Sequence, residues 1–443
     1  MVYFPVLISD QVVLAPMARF IYTLVFYMLV PIILCKLWWR GIKAPAYRLR
    51  WRERLGFSLS DKVFNAKPIW IHAVSVGETL AIVPLIKLIQ ARHPNVPIVM
   101  TTMTVTGAER VRATFGDSVT HYYCPYDIPC ALSRFIEKVN PRGCVIVETE
   151  LWPNLIHSCS RKQVPILVAN ARLSQRSAKG YKRLKSLATP MLQKINQVAV
   201  QNGTDGQRFL DLGLPKKAMT VTGSIKFDVK APEGSERLAY ALRQLWGESR
   251  KVIIAASTHE GEESELLLVF NKLLESDPSL LLVIVPRHPE RFDDVAELIK
   301  ENKLKCARRS LGQQPNEKTQ VYLGDTMGEL MKLLAAADMA FVGGSLIERG
   351  GHNPLEPAVM KKPVIMGAHF YNFQLICDSL QQAGGLSVVE NSDALLTEFK
   401  RLLGDQDSRV EQGQAGYEFV LKNQGALEKL YTLTDEICIN NLE

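Results

Sequence analysis

A chain of 443 residues exceeds the size at which one hydrophobic core usually keeps growing, so two domains are expected, and an apolar content of 47% is enough to fill both cores. Its eight cysteines are scattered without a C-x-x-C pair or a His–Cys spacing, which leaves no zinc or redox motif and fits reduced thiols in a cytoplasmic body. The net charge of +8 is concentrated where Arg40, Lys43, Arg48, Arg50, Arg52 and Arg54 stand against Glu53 alone; this run abuts an apolar segment and carries no nucleic-acid-binding module, so no nucleic-acid partner is expected.

The apolar segment comes first in the chain. Residues 20–35 are sixteen uncharged positions, and Leu37-Trp38-Trp39 extends them past Lys36 to an aromatic edge. A span needs about 20 residues, and Pro31 interrupts this one, so crossing the bilayer and lying deep in one leaflet both remain open. The charge follows the apolar run and no small-x-small cleavage site follows it, which reads as a retained anchor rather than a signal peptide. The basic flank marks the cytoplasmic side, placing the remaining bulk of the protein in the cytoplasm against the inner face of the inner membrane.

From Pro68 onward, strand-like apolar runs at 69–74, 96–103, 144–148, 166–169, 197–201 and 220–222 alternate with helix-length amphipathic segments. That is the rhythm of a parallel sheet covered by helices. A polar stretch around Lys226, Lys230, Pro232 and Gly234 breaks it before a helical segment ending near Trp246, and the rhythm restarts at 252–256, 281–285, 321–323, 339–342 and 364–366. The expected layout is an α/β chain with an N-terminal membrane anchor over 1–40, a Rossmann-like domain over 41–228, a linker over 229–249 and a second Rossmann-like domain over 250–443 whose C-terminal helices, from about Arg409 to Cys438, are able to pack back across the first domain. Ligands of such domains bind outside the carboxyl ends of the strands, here in a cleft faced by both domains.

The polar motifs fall at those ends. His72-Ala-Val-Ser75-Val-Gly-Glu78 leads from the first strand into a helix; Ser75 and Glu78 fit a plain cap as well as a catalytic site, where a carboxylate would accept a proton from an attacking hydroxyl. Glu148-Thr-Glu150-Leu-Trp152-Pro153 ends another strand with two acids, and spacing does not say which faces substrate. Gly223-Ser-Ile-Lys226 closes the first domain with a lysine able to reach an anion. In the second domain Ser257-Thr-His259-Glu-Gly-Glu262, Pro286-Arg287-His288-Pro289 and Gly324-Asp-Thr-Met-Gly328-Glu329-Leu330 follow strands. Phe341-Val-Gly-Gly-Ser345 then runs through a glycine loop to Gly351-His-Asn353-Pro-Leu-Glu356, an expected anion cradle whose free N–H groups face a phosphate while Glu356 accepts ribose hydroxyls. The alternative is a glycine turn with Glu356 as a dipole-complementing acid. Histidines are dispersed, and the one D-x-D, at Asp405 and Asp407, lies between apparent helices, so no metal site is expected.

Taken with Lys43-Ala-Pro-Ala-Tyr47, Glu53-Arg-Leu-Gly56 and Asn170-Ala-Arg-Leu-Ser174, these motifs resemble the Kdo transferases of lipopolysaccharide biosynthesis over nearly the whole chain. The resemblance implies a glycosyltransferase of the B type that moves 3-deoxy-D-manno-octulosonic acid (Kdo) from CMP-Kdo to the lipid A precursor lipid IVA with inversion, using no cofactor and no metal. It implies Glu78 as general base, Glu148 and Lys226 as transition-state stabilisers, and Pro286, Arg287, Gly328, Glu329, Leu330, Asn353 and Glu356 as the CMP site. The rival readings are a UDP-sugar-dependent glycosyltransferase of the same fold acting on a lipid acceptor, a nucleotide-sugar epimerase, and a dehydrogenase, the last weakened by the lack of G-x-G-x-x-G after the first strand.

Overall fold

A computed structural model describes residues 10–59 and 64–440, which divide into two compact units: residues 1–226 with 425–443, and residues 227–424. The first holds seven strands, β1 Ile69–His72, β2 Ile98–Thr102, β3 Thr120–Tyr123, β4 Gly143–Val147, β5 Ile166–Ala171, β6 Gln197–Val200 and β7 Met219–Val221. They form one parallel sheet in the order β3-β2-β1-β4-β5-β6-β7. The strands read as near-continuous apolar runs because both faces are covered, by Trp70, Phe135, Ile146 and Phe209 on one side and Ile71, Leu85, Val145 and Leu430 on the other.

The second unit repeats the plan with β8 Val252–Thr258, β9 Leu281–Pro286, β10 Cys306–Arg308, β11 Val321–Leu323, β12 Met339–Val342, β13 Val364–Gly367 and β14 Leu386–Val389 in the order β10-β11-β9-β8-β12-β13-β14. In each sheet the order reverses between two adjacent strands, β1 and β4 in the first and β8 and β12 in the second. A doubly wound sheet opens its ligand crevice at that point, outside the carboxyl ends of the strands.

Three strands escape the apolar-run reading. β3, β10 and β14 lie at or near sheet edges, are three or four residues long, and carry polar residues such as Thr120, His121, Arg308 and Ser387. Two boundaries also differ from expectation. Residues 235–246, inside the segment read as a linker, form the helix Ser235–Trp246, and its Leu238, Leu242 and Trp246, at i, i+4 and i+8, pack into the second unit's core against Val252 and Tyr322. Residues 425–440 belong to the first unit, not to a domain reaching 443: Ala426, Leu430, Tyr431, Cys438 and Ile439 are buried in the first core, and a Cβ on Gly143 would lie 2.6 Å from Cys438.

The helix Asp10–Lys43 carries a stretch, Pro16–Lys43, that is long and apolar enough to cross a membrane, with mean hydropathy 2.1 over its most apolar 18 residues. It does not stand clear of the first unit. Tyr22 donates to Asp127 at 2.8 Å, Thr23 to Asn154 at 3.0 Å, and Phe26, Val30, Ile33 and Leu34 pack on Tyr126, Ile128 and Ala131. These positions form one i, i+3, i+4, i+7 stripe. The other face, with Phe20, Ile21, Leu24, Met28, Ile32, Trp38 and Trp39, is bare. Part of the basic flank turns inward: Arg54 is buried over the Tyr123 ring and donates to Met103 O, and Arg50 forks onto Glu53.

Candidate active site

Glu78 sits in the first turn of the helix Val76–Arg92, directly beyond β1. Ser75 caps that helix, its Oγ accepting the Glu78 N–H, while the Glu78 carboxylate reaches back to accept from Val74 N at 2.7 Å and Ser75 Oγ at 2.7 Å. This is a variant of the capping box, the acid taking the N–H one residue before the cap, and it orients the carboxylate at the strand end. Burial pushes the Glu78 carboxyl above the ordinary carboxylate range, the Ser75 and Val74 hydrogen bonds pull it back, and the nearby charges of Glu150 and Glu148 raise it further. The cap reading of the Ser75–Glu78 spacing holds, and the capping acid is at the same time a perturbed carboxyl at the strand end.

Glu148 lies across the switch point, one residue past β4. Its φ of 59° is the left-handed conformation that a residue with a Cβ adopts at a cost of about 1 kcal/mol or more, so the chain is bent here against its preference. Its N–H bonds Ala169 O at 2.9 Å and its carboxylate pairs with Arg172 at 3.1 Å. Glu150 accepts from Trp152 Nε1 at 3.0 Å, and burial raises its carboxyl as well. The Trp152 indole stands edge-on to His72, 4.9 Å away. Burial drops His72 to about 4, so it is neutral at physiological pH.

Lys226 lies beyond β7, at the far side of the sheet, yet its loop returns toward the centre. The Ile225 N–H bonds Asn170 Oδ1 at 3.3 Å and the Ile225 side chain is buried in the core beside Val147 and Ala169. Lys226 is thus carried to the carboxyl end of β5, next to β4. Asn170, itself at φ 53°, is the residue that fixes this return; a strand-interior asparagine gave no sign of it.

In the second unit the structure brings Arg287, Asn353 and Glu356 into one electrostatic group. Burial raises the Glu356 carboxyl, opposed by its hydrogen bond with Asn353 and the charge of Arg287. Pro286 ends β9, and Arg287 is anchored through its N–H to Thr258 O at 3.0 Å. Two histidines complete the group. His259 and His352 share a hydrogen bond between their Nε2 atoms at 2.7 Å with rings stacked at 5.0 Å, and burial with the surrounding arginines holds both at about 4. Gly328, Glu329 and Leu330 stand at the end of β11, a strand further out. Glu329 is engaged there: Arg309 forks onto it at 2.6 and 2.8 Å and lowers it to about 2, and Thr326 donates to it at 2.6 Å.

The glycine loop after β12 departs from the expected open cradle. The buried Glu262 carboxylate accepts from Gly344 N at 2.7 Å, Ser345 N at 3.0 Å, Leu346 N at 3.0 Å and His259 N at 3.1 Å. The N–H groups expected to face a phosphate are filled by a protein carboxylate, and those of Gly351 and His352 go to Gly344 O and Gly343 O. Glycine is needed because a Cβ on Gly343 would lie 2.5 Å from Ser257 O. Arg287 supplies positive charge beside it, acting on His352 and Glu356. Among the described residues no cluster of three or more His, Cys, Asp or Glu fit to hold a metal ion is present.

Two doubly wound parallel units whose polar residues gather at the carboxyl ends of the strands define a glycosyltransferase of the B type, and residues 248–419 match the family described as glycosyl transferases group 1. A UDP-GlcNAc 2-epimerase structure from Neisseria meningitidis, 13% identical with a TM-score of 0.52 over 83% of this chain and all of that one, shares the fold. Residues 49–229 match the family of 3-deoxy-D-manno-octulosonic-acid transferases. A transferase of that description from Haemophilus influenzae is 46% identical over 94% of this chain and 98% of its own length, and one from Bordetella pertussis is 34% identical over 93% and 98%. The chain belongs to the 3-deoxy-D-manno-octulosonic acid (Kdo) transferase family, and its reaction is transfer of Kdo.

Proposed function

We propose that this enzyme moves Kdo from CMP-Kdo to the lipid A precursor lipid IVA with inversion, and that Glu78 is the base. The acceptor hydroxyl oxygen forms the new bond to the anomeric carbon of Kdo, the hydroxyl proton passes to Glu78, and the bond to the CMP phosphate breaks with its electron pair leaving on CMP. The observation that carries this reading is the capping box: Glu78 is fixed at the switch point with a raised pKa, and a base poised nearer neutrality is the better proton acceptor. Glu148 suits the positive charge that grows at the oxocarbenium-like donor carbon, and Lys226 suits the negative charge on the departing phosphate. Pro286, Arg287, Gly328, Glu329, Leu330, Asn353 and Glu356 form the CMP site in this reading, with Arg287 for phosphate and Glu356 for ribose hydroxyls. Protein cations do the work of charge balance, so neither metal nor cofactor is called for.

The acceptor is a membrane lipid, and the helix Asp10–Lys43 is the means of reaching it. We place that helix along the surface of the inner leaflet on the cytoplasmic side, not through the bilayer. Its hydrogen bonds from Tyr22 and Thr23 to Asp127 and Asn154 tie one face to the soluble unit, and the bare face with Phe20, Met28, Ile32, Trp38 and Trp39 is the part suited to lipid. The test is transfer from freshly generated CMP-Kdo to lipid IVA by detergent-solubilised protein, read by mass spectrometry beside Glu78→Gln and with EDTA present. A Kdo mass gain in the native enzyme alone, unaffected by EDTA, is the expected result. Activity with a UDP-sugar but not CMP-Kdo overturns the donor, turnover in Glu78→Gln overturns the base, and loss of turnover with EDTA overturns the metal-free mechanism.

A further inference from the structure

The first unit holds a second recess, of about 240 Å³, between the start of the helix Asp10–Lys43 and the helices Pro153–Arg161 and Lys185–Leu192. Pro16, Pro153 and Leu187 are among its apolar walls, and its polar lining is Arg19, His157 and Lys194, with no carboxylate. Arg161 adds a further positive charge acting on His157. Among the described residues none of Arg19, Arg161 and Lys194 forms an ion pair with an acid; Arg19 has only the Asn154 amide oxygen, at 3.4 Å. His157 Nδ1 is buried without a hydrogen-bond partner. Burial first, and then the charges of Arg19, Lys194 and Arg161, lower the His157 pKa to about 4.

Like charges gathered without a counter-ion repel one another, and a buried polar atom left unpaired costs about 1–3 kcal/mol, so the arrangement is completed by an anion. The volume lies below the roughly 300–1,000 Å³ of sites that enclose a whole small molecule, which suits a headgroup. Phe20, Ile21 and Leu24, exposed on the adjoining turns of the same helix, offer apolar surface where acyl chains would continue.

We propose that this recess binds the phosphate of an anionic bilayer phospholipid, seating the start of the N-terminal helix at the headgroup level. The assignment rests on the membrane reading above. It makes Arg19, His157 and Lys194 a lipid site separate from the carboxylates that serve the reaction.

The experiment measures binding of full-length protein to nanodiscs of phosphatidylcholine with and without phosphatidylglycerol, for the native chain, Lys194→Gln, His157→Gln, and Lys272→Gln as an equal charge loss on the other unit. The expected result is that phosphatidylglycerol tightens binding, that Lys194→Gln loses about fivefold of that gain while Lys272→Gln loses none, and that 10 mM inorganic phosphate competes only weakly. Lipid IVA turnover of Lys194→Gln in phosphatidylcholine alone stays unchanged. Equal phosphatidylglycerol affinity for Lys194→Gln and native protein overturns the site while leaving the membrane reading intact; failure of the native protein to bind any nanodisc overturns both. Full competition by inorganic phosphate assigns the recess to a soluble anion, and a raised lipid IVA KM without a change in phosphatidylglycerol binding assigns it to the acceptor, and either result overturns the proposal.

Discussion

Glu262 holds the N–H of Gly344 at 2.7 Å from a position 82 residues earlier in the chain, and so joins the loop after β8 to the glycine loop after β12. The two loops flank the second unit's switch point and are fixed relative to each other by one carboxylate. Replacing it with alanine leaves four backbone donors unpaired, three of them on the glycine loop, at about 1–3 kcal/mol for each that water does not reach. Glu262→Ala is expected to lower the unfolding midpoint and weaken CMP binding at least tenfold, with Glu262→Gln in between because one acceptor oxygen remains. Calorimetry of CMP binding checks this; native CMP affinity in Glu262→Ala would mean the loop's shape does not matter to the nucleotide.

Glu78→Gln keeps an oxygen for Val74 N and an amide able to pair with Ser75, so its fold is expected to survive while transfer falls by three orders of magnitude or more. The pH dependence has a defined sign. A carboxyl whose folded pKa lies above its ordinary 4.5 binds its proton more tightly when folded, so the ionised form is a cost that grows as pH rises through 4.5 and is complete above the raised value. At neutral pH the glutamine variant should therefore unfold no earlier than the native protein. Activity needs the ionised base, so kcat/KM should fall on the acid side with a midpoint above 4.5. A pH–rate series with parallel scanning fluorimetry tests both halves.

Tyr22→Phe removes one donor from Asp127, a buried carboxylate that also accepts from Asn154 N and Leu155 N and is raised by burial to about 6. A lost hydrogen bond to a charged group costs about 1.5–3 kcal/mol. The variant should unfold earlier in detergent and, more tellingly, expose the 19–34 stretch to protease. Limited proteolysis followed by mass spectrometry gives the answer; an unchanged cleavage pattern would show that the apolar contacts of Val30 and its neighbours suffice.

Gly343→Ala puts a Cβ 2.5 Å from Ser257 O and 2.8 Å from the Thr258 Cα, both backbone atoms that cannot swing aside. The strain expected is about 1–3 kcal/mol, taken by separating the ends of β8 and β12. The KM for the CMP-sugar should rise while the first unit's unfolding stays as it was. Donor titration of the alanine variant measures the effect directly.

The alternating rhythm of buried strands and amphipathic helices was legible because both sheets are covered on both faces, and Ser75 with Glu78 was legible because a capping box is local. What Glu262 does was not: three of its four partners lie 82 to 84 residues away, and the residue sits in a run of acids that reads as dipole complement. The helix Ser235–Trp246 was legible as a helical segment ending near Trp246, but the charged, glycine- and proline-bearing stretch before it made the segment read as linker, although the i, i+4, i+8 spacing of Leu238, Leu242 and Trp246 marks a face that packs into a core. The N-terminal helix concealed its packed face for the opposite reason. It is apolar nearly all round between Phe20 and Cys35, so a few polar groups, Arg19, Tyr22 and Thr23, which reach Asp127 and Asn154, distinguish the side that meets protein.

The last residues of the first unit come after the whole of the second. On a ribosome the 227–424 unit can close on its own, whereas the sheet begun at Ile69 waits for Leu430, Cys438 and Ile439 before one of its faces is sealed. The unit that carries Glu78 is therefore the later of the two to mature, and a stop codon near 424 is a lesion of that unit even though its sheet lies far earlier in the gene.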